Sequence, residues 1–116
     1  MNEIGIKIRN KRAWATDHTE IVCDNSDYTV NFDFDEEWSA YETKTARFDN
    51  GVQYVDVIFA GNVCPVPALS DASEVKIGVY AGELHTTTAA HVLCRASILG
   101  GTGTPAAPAP PRWRQF

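Results

Sequence analysis

Between Glu3 and Asn10 the chain alternates: Ile4, Ile6 and Ile8 fall on one side of an extended backbone, Glu3, Lys7 and Arg9 on the other. A period of two is the signature of a strand with one buried face. A short apolar run, Ile21-Val22-Cys23, precedes the turn cluster Asn25-Ser26-Asp27. Tyr28, Val30, Phe32 and Phe34 then alternate with Thr29, Asn31, Asp33 and Asp35, the clearest strand in the chain. At Asp35 the alternation breaks. Asp35 is placed to cap a single helical turn, with Glu36 and Glu37 favourable at its N-terminus and Trp38 and Tyr41 sharing a face.

Strand character resumes from Lys44 to Asp49 and again from Val52 to Ala60. Asn50-Gly51 lies between them and predicts a hairpin with a type I′ turn, because both residues tolerate positive φ. Cys64-Pro65-Val66-Pro67 reads as an edge or crossing segment, since proline supplies no ladder N–H. Glu74 to Tyr80 is a further strand, Ala81-Gly82-Glu83-Leu84 a turn, and Thr86 to Leu99 a final strand. The expected fold is therefore all-β: an antiparallel β-sandwich of about seven short strands, with a small β-barrel as the alternative. Its core should hold Ile4, Ile6, Ile8, Tyr28, Val30, Phe32, Phe34, Phe48, Val75, Ile77 and Val79, and Trp38 should be a buried anchor.

Composition changes sharply at Gly100. Gly100 to Thr104 reads as a flexible linker, and Pro105 to Pro111 contains only proline and alanine, a composition that prefers extended polyproline II. The expected organisation is a sandwich domain over residues 1–99 and a linker and tail over 100–116. The 116 residues carry a net charge of −5, which argues against a general nucleic-acid binder. No apolar run reaches the roughly 18–20 residues of a membrane span, so membrane insertion is not expected. The charged stretch Met1 to Arg12 lacks the apolar block of a secretory signal.

Candidate chemistry is sparse. Cys23, Cys64 and Cys94 are at least thirty residues apart and make neither a zinc nor a redox motif. His85 and His91, on one strand, would stand too far apart to chelate one ion. The acidic cluster Asp33, Asp35, Glu36, Glu37 lacks the spacing of a calcium loop. No serine sits in a nucleophile elbow, and Gly100-Gly101-Thr102-Gly103 leads into prolines rather than a phosphate-binding helix. The expectation is no catalytic residue, no metal and no cofactor. Three aromatic residues are candidates for partner binding: Trp14 among Arg12, Ala13 and Ala15, and Trp113 and Phe116 in the terminal Arg112-Trp113-Arg114-Gln115-Phe116.

Three stretches carry a family resemblance. Phe34-Asp35-Glu36-Glu37-Trp38 with Tyr41-Glu42-Thr43-Lys44-Thr45-Ala46-Arg47-Phe48, Val75-Lys76-Ile77-Gly78-Val79-Tyr80-Ala81-Gly82, and Thr86-Thr87-Thr88 resemble the N-terminal domain of tail and baseplate proteins from prophages of Gram-positive bacteria. The resemblance spans residues 4–110. It implies a sandwich that docks on the virion tail, other tail and baseplate proteins as partners, synthesis in the bacterial cytoplasm, and no catalytic residues. It also implies helical and receptor-binding parts after a Pro/Ala linker, whereas here Arg112 to Phe116 follows. A homo-oligomer stays open. The competing expectation is a carbohydrate-binding module, which would need Trp14, Trp38, Tyr41 or Tyr54 exposed and coplanar.

Overall fold

The structure, a computed structural model, describes residues 2–69, 72–82 and 85–98. Ten strands occur among them: β1 Glu3–Arg9, β2 Arg12–Ala15, β3 Ile21–Val22, β4 Thr29–Asp33, β5 Thr43–Asp49, β6 Tyr54–Ala60, β7 Val63–Pro65, β8 Glu74–Ala81, β9 His85–Thr86 and β10 Ala90–Arg95. One sheet runs β2-β1-β4-β7; the other runs β3-β10-β8-β5-β6, with β9 paired to β8. The all-β sandwich is thus the fold. Most ladders are antiparallel, but both sheets are mixed: β1 pairs with β4 in parallel, Ile4 opposite Val30 and Ile6 opposite Phe32, and β10 pairs with β3 in parallel. Local patterning reports which face a strand buries and says nothing about the direction of its neighbour.

The alternation sets the core as expected. Ile4, Ile6, Ile8, Val30, Phe32, Phe48, Val75 and Ile77 are at most 1% exposed, Val79 and Tyr28 are buried, and Phe34 packs half-buried against them. Trp38 is 1% exposed. The turn that carries it is a 3₁₀ helix, Glu36–Ala40. Asp35 makes no side-chain cap; its Oδ2 instead accepts a hydrogen bond from the Asn10 N–H at 2.9 Å.

Two local expectations are corrected, and one hairpin is found that the pattern did not announce. The type I′ geometry appears at Asn10 (φ 53°) and Lys11 (φ 64°), between Arg9 and its partner Arg12, and creates β2, a strand with little alternation to announce it. Asn50-Gly51 is part of a four-residue loop instead, because Asp49 pairs with Tyr54. There the Asn50 Oδ1 accepts from the N–H groups of Val52 and Gln53, so Asn50 caps the loop with its side chain and only Gly51 takes a positive φ, 96°. The segment read as one strand from Thr86 to Leu99 divides: β9 ends at Thr86 and β10 begins at Ala90. Between them the Thr88 N–H donates to Lys11 O and its Oγ1 accepts from Ala13 N, which ties this segment to β2. The linker and tail 100–116 and part of the turn 81–84 lie outside the described residues.

Candidate functional site

Side chains projecting outward from the β2-β1-β4-β7 sheet form the first candidate surface. Alternation along β1 sends Gly5, Lys7 and Arg9 outward, and the hairpin register sets Trp14 beside Lys7 and Arg12 beside Arg9. Trp14 is 44% exposed. With Arg9, Asn10 and Arg12 it lines a shallow depression of about 390 Å³. Arg9 is held there by Asp33: its guanidinium donates to Asp33 O (2.8 Å) and to Asp33 Oδ2 (3.1 Å). The result is an indole set among Lys7, Arg9 and Arg12 on a protein of net charge −5. Trp113 and Phe116 lie outside the described residues, so of the three sequence candidates only Trp14 can be placed.

An aromatic corner follows β4 at the same end of that sheet, next to the β1–β2 turn. Phe34 stacks on Phe32 (5.4 Å) and Phe59 (6.4 Å) and meets Trp38 at 5.5 Å. Trp38 in turn contacts Tyr41 and His85. His85 bridges Tyr41 Oη, 2.8 Å from its Nδ1, and Glu37 Oε1, 3.2 Å from its Nε2. Glu37 also accepts from Lys11 Nζ at 2.6 Å. These contacts clamp the 3₁₀ turn onto the β1–β2 hairpin and β9. Beside it Lys44, 5% exposed, lays its ammonium 4.7 Å from the Phe34 ring centroid and donates to Gly61 O at 3.3 Å. Burial lowers its pKa. Among the described residues neither Asp35 Oδ1 nor Trp38 Nε1 has a hydrogen-bond partner.

The third surface is β6, which sequence reading took as one strand among several. Tyr54, Val55 and Ile58 are 55%, 40% and 73% exposed. On the outer face Arg47 of β5 lies over the Tyr54 ring at 3.8 Å and grips Asp56 with two bonds, Nε to Oδ1 at 2.8 Å and Nη2 to Oδ2 at 3.0 Å. Tyr80 Oη adds a third bond to Asp56. Hydrogen bonding to Arg47, with Tyr80 assisting, lowers the Asp56 pKa, and the same pairing raises that of Arg47. The signal for this surface was present in Tyr54-Val55-Asp56-Val57-Ile58, where apolar residues occupy both faces.

Trp14, Trp38, Tyr41 and Tyr54 do not share one exposed plane. Trp38 is buried, Tyr41 is engaged with His85, and Trp14 and Tyr54 stand on different sheets, the latter with one face covered by Arg47. Among the described residues no group of three His, Cys, Asp or Glu side chains is arranged to hold a metal, and no helix is long and apolar enough to cross a membrane. Comparison of the chain with protein-family models, with curated proteins and with solved structures finds no match.

Proposed function

We propose that this chain is a non-enzymatic attachment domain of a phage or prophage tail or baseplate, docking by protein–protein contact through the Trp14 face. The observation that carries the reading is the exposed indole of Trp14, mounted on a two-stranded hairpin whose inner residues are core and ringed by Lys7, Arg9 and Arg12. A large aromatic on a stiff support loses little entropy on binding, and tryptophan and arginine are the side chains most enriched in interface hot spots. The basic ring favours a partner segment that is acidic around an apolar socket. The tail assignment rests on the resemblance of the aromatic corner and of β5 and β8 to prophage tail domains.

The test is capture of purified tail and baseplate components on the immobilised chain, alongside a glycan panel. Trp14→Ser should leave the melting temperature unchanged and weaken capture about thirtyfold or more, the effect of losing a hot spot of about 2 kcal/mol. Undiminished capture by Trp14→Ser would move the docking surface elsewhere. Capture of glycans and of no tail component would replace the reading with a carbohydrate-binding module.

A further inference from the structure

A sheet edge offers unpaired backbone groups to any other strand, and folded proteins blunt such edges with short strands, proline, charge or a covering segment. Among the described residues the two sheets end in β2, β7, β3 and β6, and three of these four strands are blunted. Strand β3 has two residues. Strand β7 has three and ends in Pro65. Strand β2 is covered by the segment around Thr88. Strand β6 is different: seven residues long, without proline or lysine, and with no neighbouring strand on its outer side among the described residues.

Its open hydrogen-bonding groups can be assigned. The Asn50 N–H donates to Gln53 O and the Gly61 N–H to Glu42 O, at the two ends of the β5–β6 ladder. Alternation between these ends turns the N–H and C=O groups of Val55, Val57 and Phe59 toward β5, opposite Phe48, Ala46 and Lys44. Those of Tyr54, Asp56 and Ile58 therefore face outward from the sheet edge.

We propose that β6 pairs antiparallel with β6 of a second copy of this chain, about a two-fold axis at Asp56, joining two sandwiches through one continuous sheet. The strand is self-complementary in that register. Asp56 meets its own counterpart, and Tyr54 and Ile58 exchange both backbone bonds with Ile58 and Tyr54 of the other copy. On the outer face the exposed Tyr54 ring then covers the exposed Ile58 of the other copy. On the inner face Val55 lies opposite Val57. The one charge on the strand, Asp56, is neutralised within each copy by the two bonds from Arg47, so the axis carries two ion pairs rather than two bare carboxylates. A single strand edge buries less than a standard interface, so the association is weak and concentration-dependent. Net charge on each copy opposes it, so salt strengthens it.

The experiment is sedimentation of the full chain over a concentration series, with thermal melts of each variant. The wild type should shift from monomer to dimer, and Ile58→Lys, at a side chain 73% exposed, should stay monomeric with an unchanged melt. Tyr54→Glu, which keeps a partner for Arg47, is the second variant and should behave alike. Register is read by cysteine pairing. Val55→Cys chains mixed with Val57→Cys chains in glutathione disulfide should form a cross-linked dimer, two protein thiols oxidised to one disulfide as the glutathione disulfide is reduced to two thiols. Neither chain alone should cross-link to the same extent. A wild type that remains monomeric throughout, a dimer that survives Ile58→Lys, or equal cross-linking in unmixed chains would each overturn the proposal. So would a monomer that captures a tail component through β6, which would make that component the occupant. Trp14→Ser should dimerise like the wild type, so the attachment reading and this one fail separately.

Discussion

Trp38 and Lys44 both pack against Phe34 in the aromatic corner and place opposite demands on stability. The Trp38 indole fills the space among Phe34, Tyr41 and His85. Trp38→Ala should therefore cost about 3–5 kcal/mol in denaturant unfolding, a large share of a small domain's total. Trp38→Phe should cost much less, because it keeps most of the ring and removes an N–H that has no acceptor among the described residues. Lys44 is buried as a cation over Phe34, and desolvation lowers its pKa from the ordinary value of 10.5. The unfolded chain holds that proton up to about pH 10.5 and the folded chain releases it earlier. Between the two values the unfolded state binds more protons, so this residue makes stability rise with pH across the alkaline range below 10.5. In Lys44→Met that rise should be absent from the pH dependence of unfolding. Asp56 works in the opposite range: its lowered pKa means the stability from the Arg47 pair is present above the ordinary carboxylate value and lost as pH falls through the folded one.

The β1–β2 and β5–β6 connections differ at the level of elements. The β1–β2 turn holds Asn10 and Lys11 at positive φ, whereas the β5–β6 loop is organised by the Asn50 side chain and places the positive φ at Gly51 alone. A Cβ at Gly51 would meet no atom within 4 Å. Gly51→Ala therefore tests backbone conformation without a clash. The expected loss is about 1–2 kcal/mol, measured by urea unfolding. Because the loop sets the register of β6, a loss of that size without a change in the slope of the unfolding curve would indicate that the edge strand keeps its place. Nothing in Asn50-Gly51 as a dipeptide distinguishes a two-residue turn from a four-residue loop. The choice follows from which residues of β5 and β6 pack inward, with Phe48 opposite Val55 and Ala46 opposite Val57.

For the whole molecule, three cysteines report on opening. Cys23, Cys64 and Cys94 are free and buried, Cys64 on the four-stranded sheet and Cys94 on the other. Burial pushes the thiols of Cys64 and Cys94 up to about 11, so little reactive thiolate forms at neutral pH. Labelling by a disulfide reagent should be slow in the folded protein, complete on unfolding, and faster in Trp38→Ala in proportion to its lost stability. Rapid labelling of Cys64 in the wild type would mean that β7 opens independently of the rest. The proposed attachment face at Trp14 and the proposed pairing edge at β6 lie on different sheets, so each can be removed by a surface substitution that leaves the shared core intact.

Alternation by itself determined the all-β class and nearly the whole core, because burial of one strand face is a local property written two residues apart. Other local signals marked Trp38 as an anchor, from its three-residue spacing to Tyr41 after an acidic turn, and Trp14 as a candidate for exposure, from its setting among Arg12, Ala13 and Ala15; the run of apolar residues in β6 was visible as well. Tertiary structure decided the rest. The parallel partnership of β1 and β4, the division of the last strand at Thr87–Ala89 and the diversion of Asp35 from a cap to the Asn10 N–H all depend on residues about 25 or more positions apart along the chain. It likewise decided that β6, apolar on both faces like a strand of a sheet interior, stands at an edge. A sequence records which side chains avoid water; it does not record which neighbouring strand, or which other molecule, removes them from it.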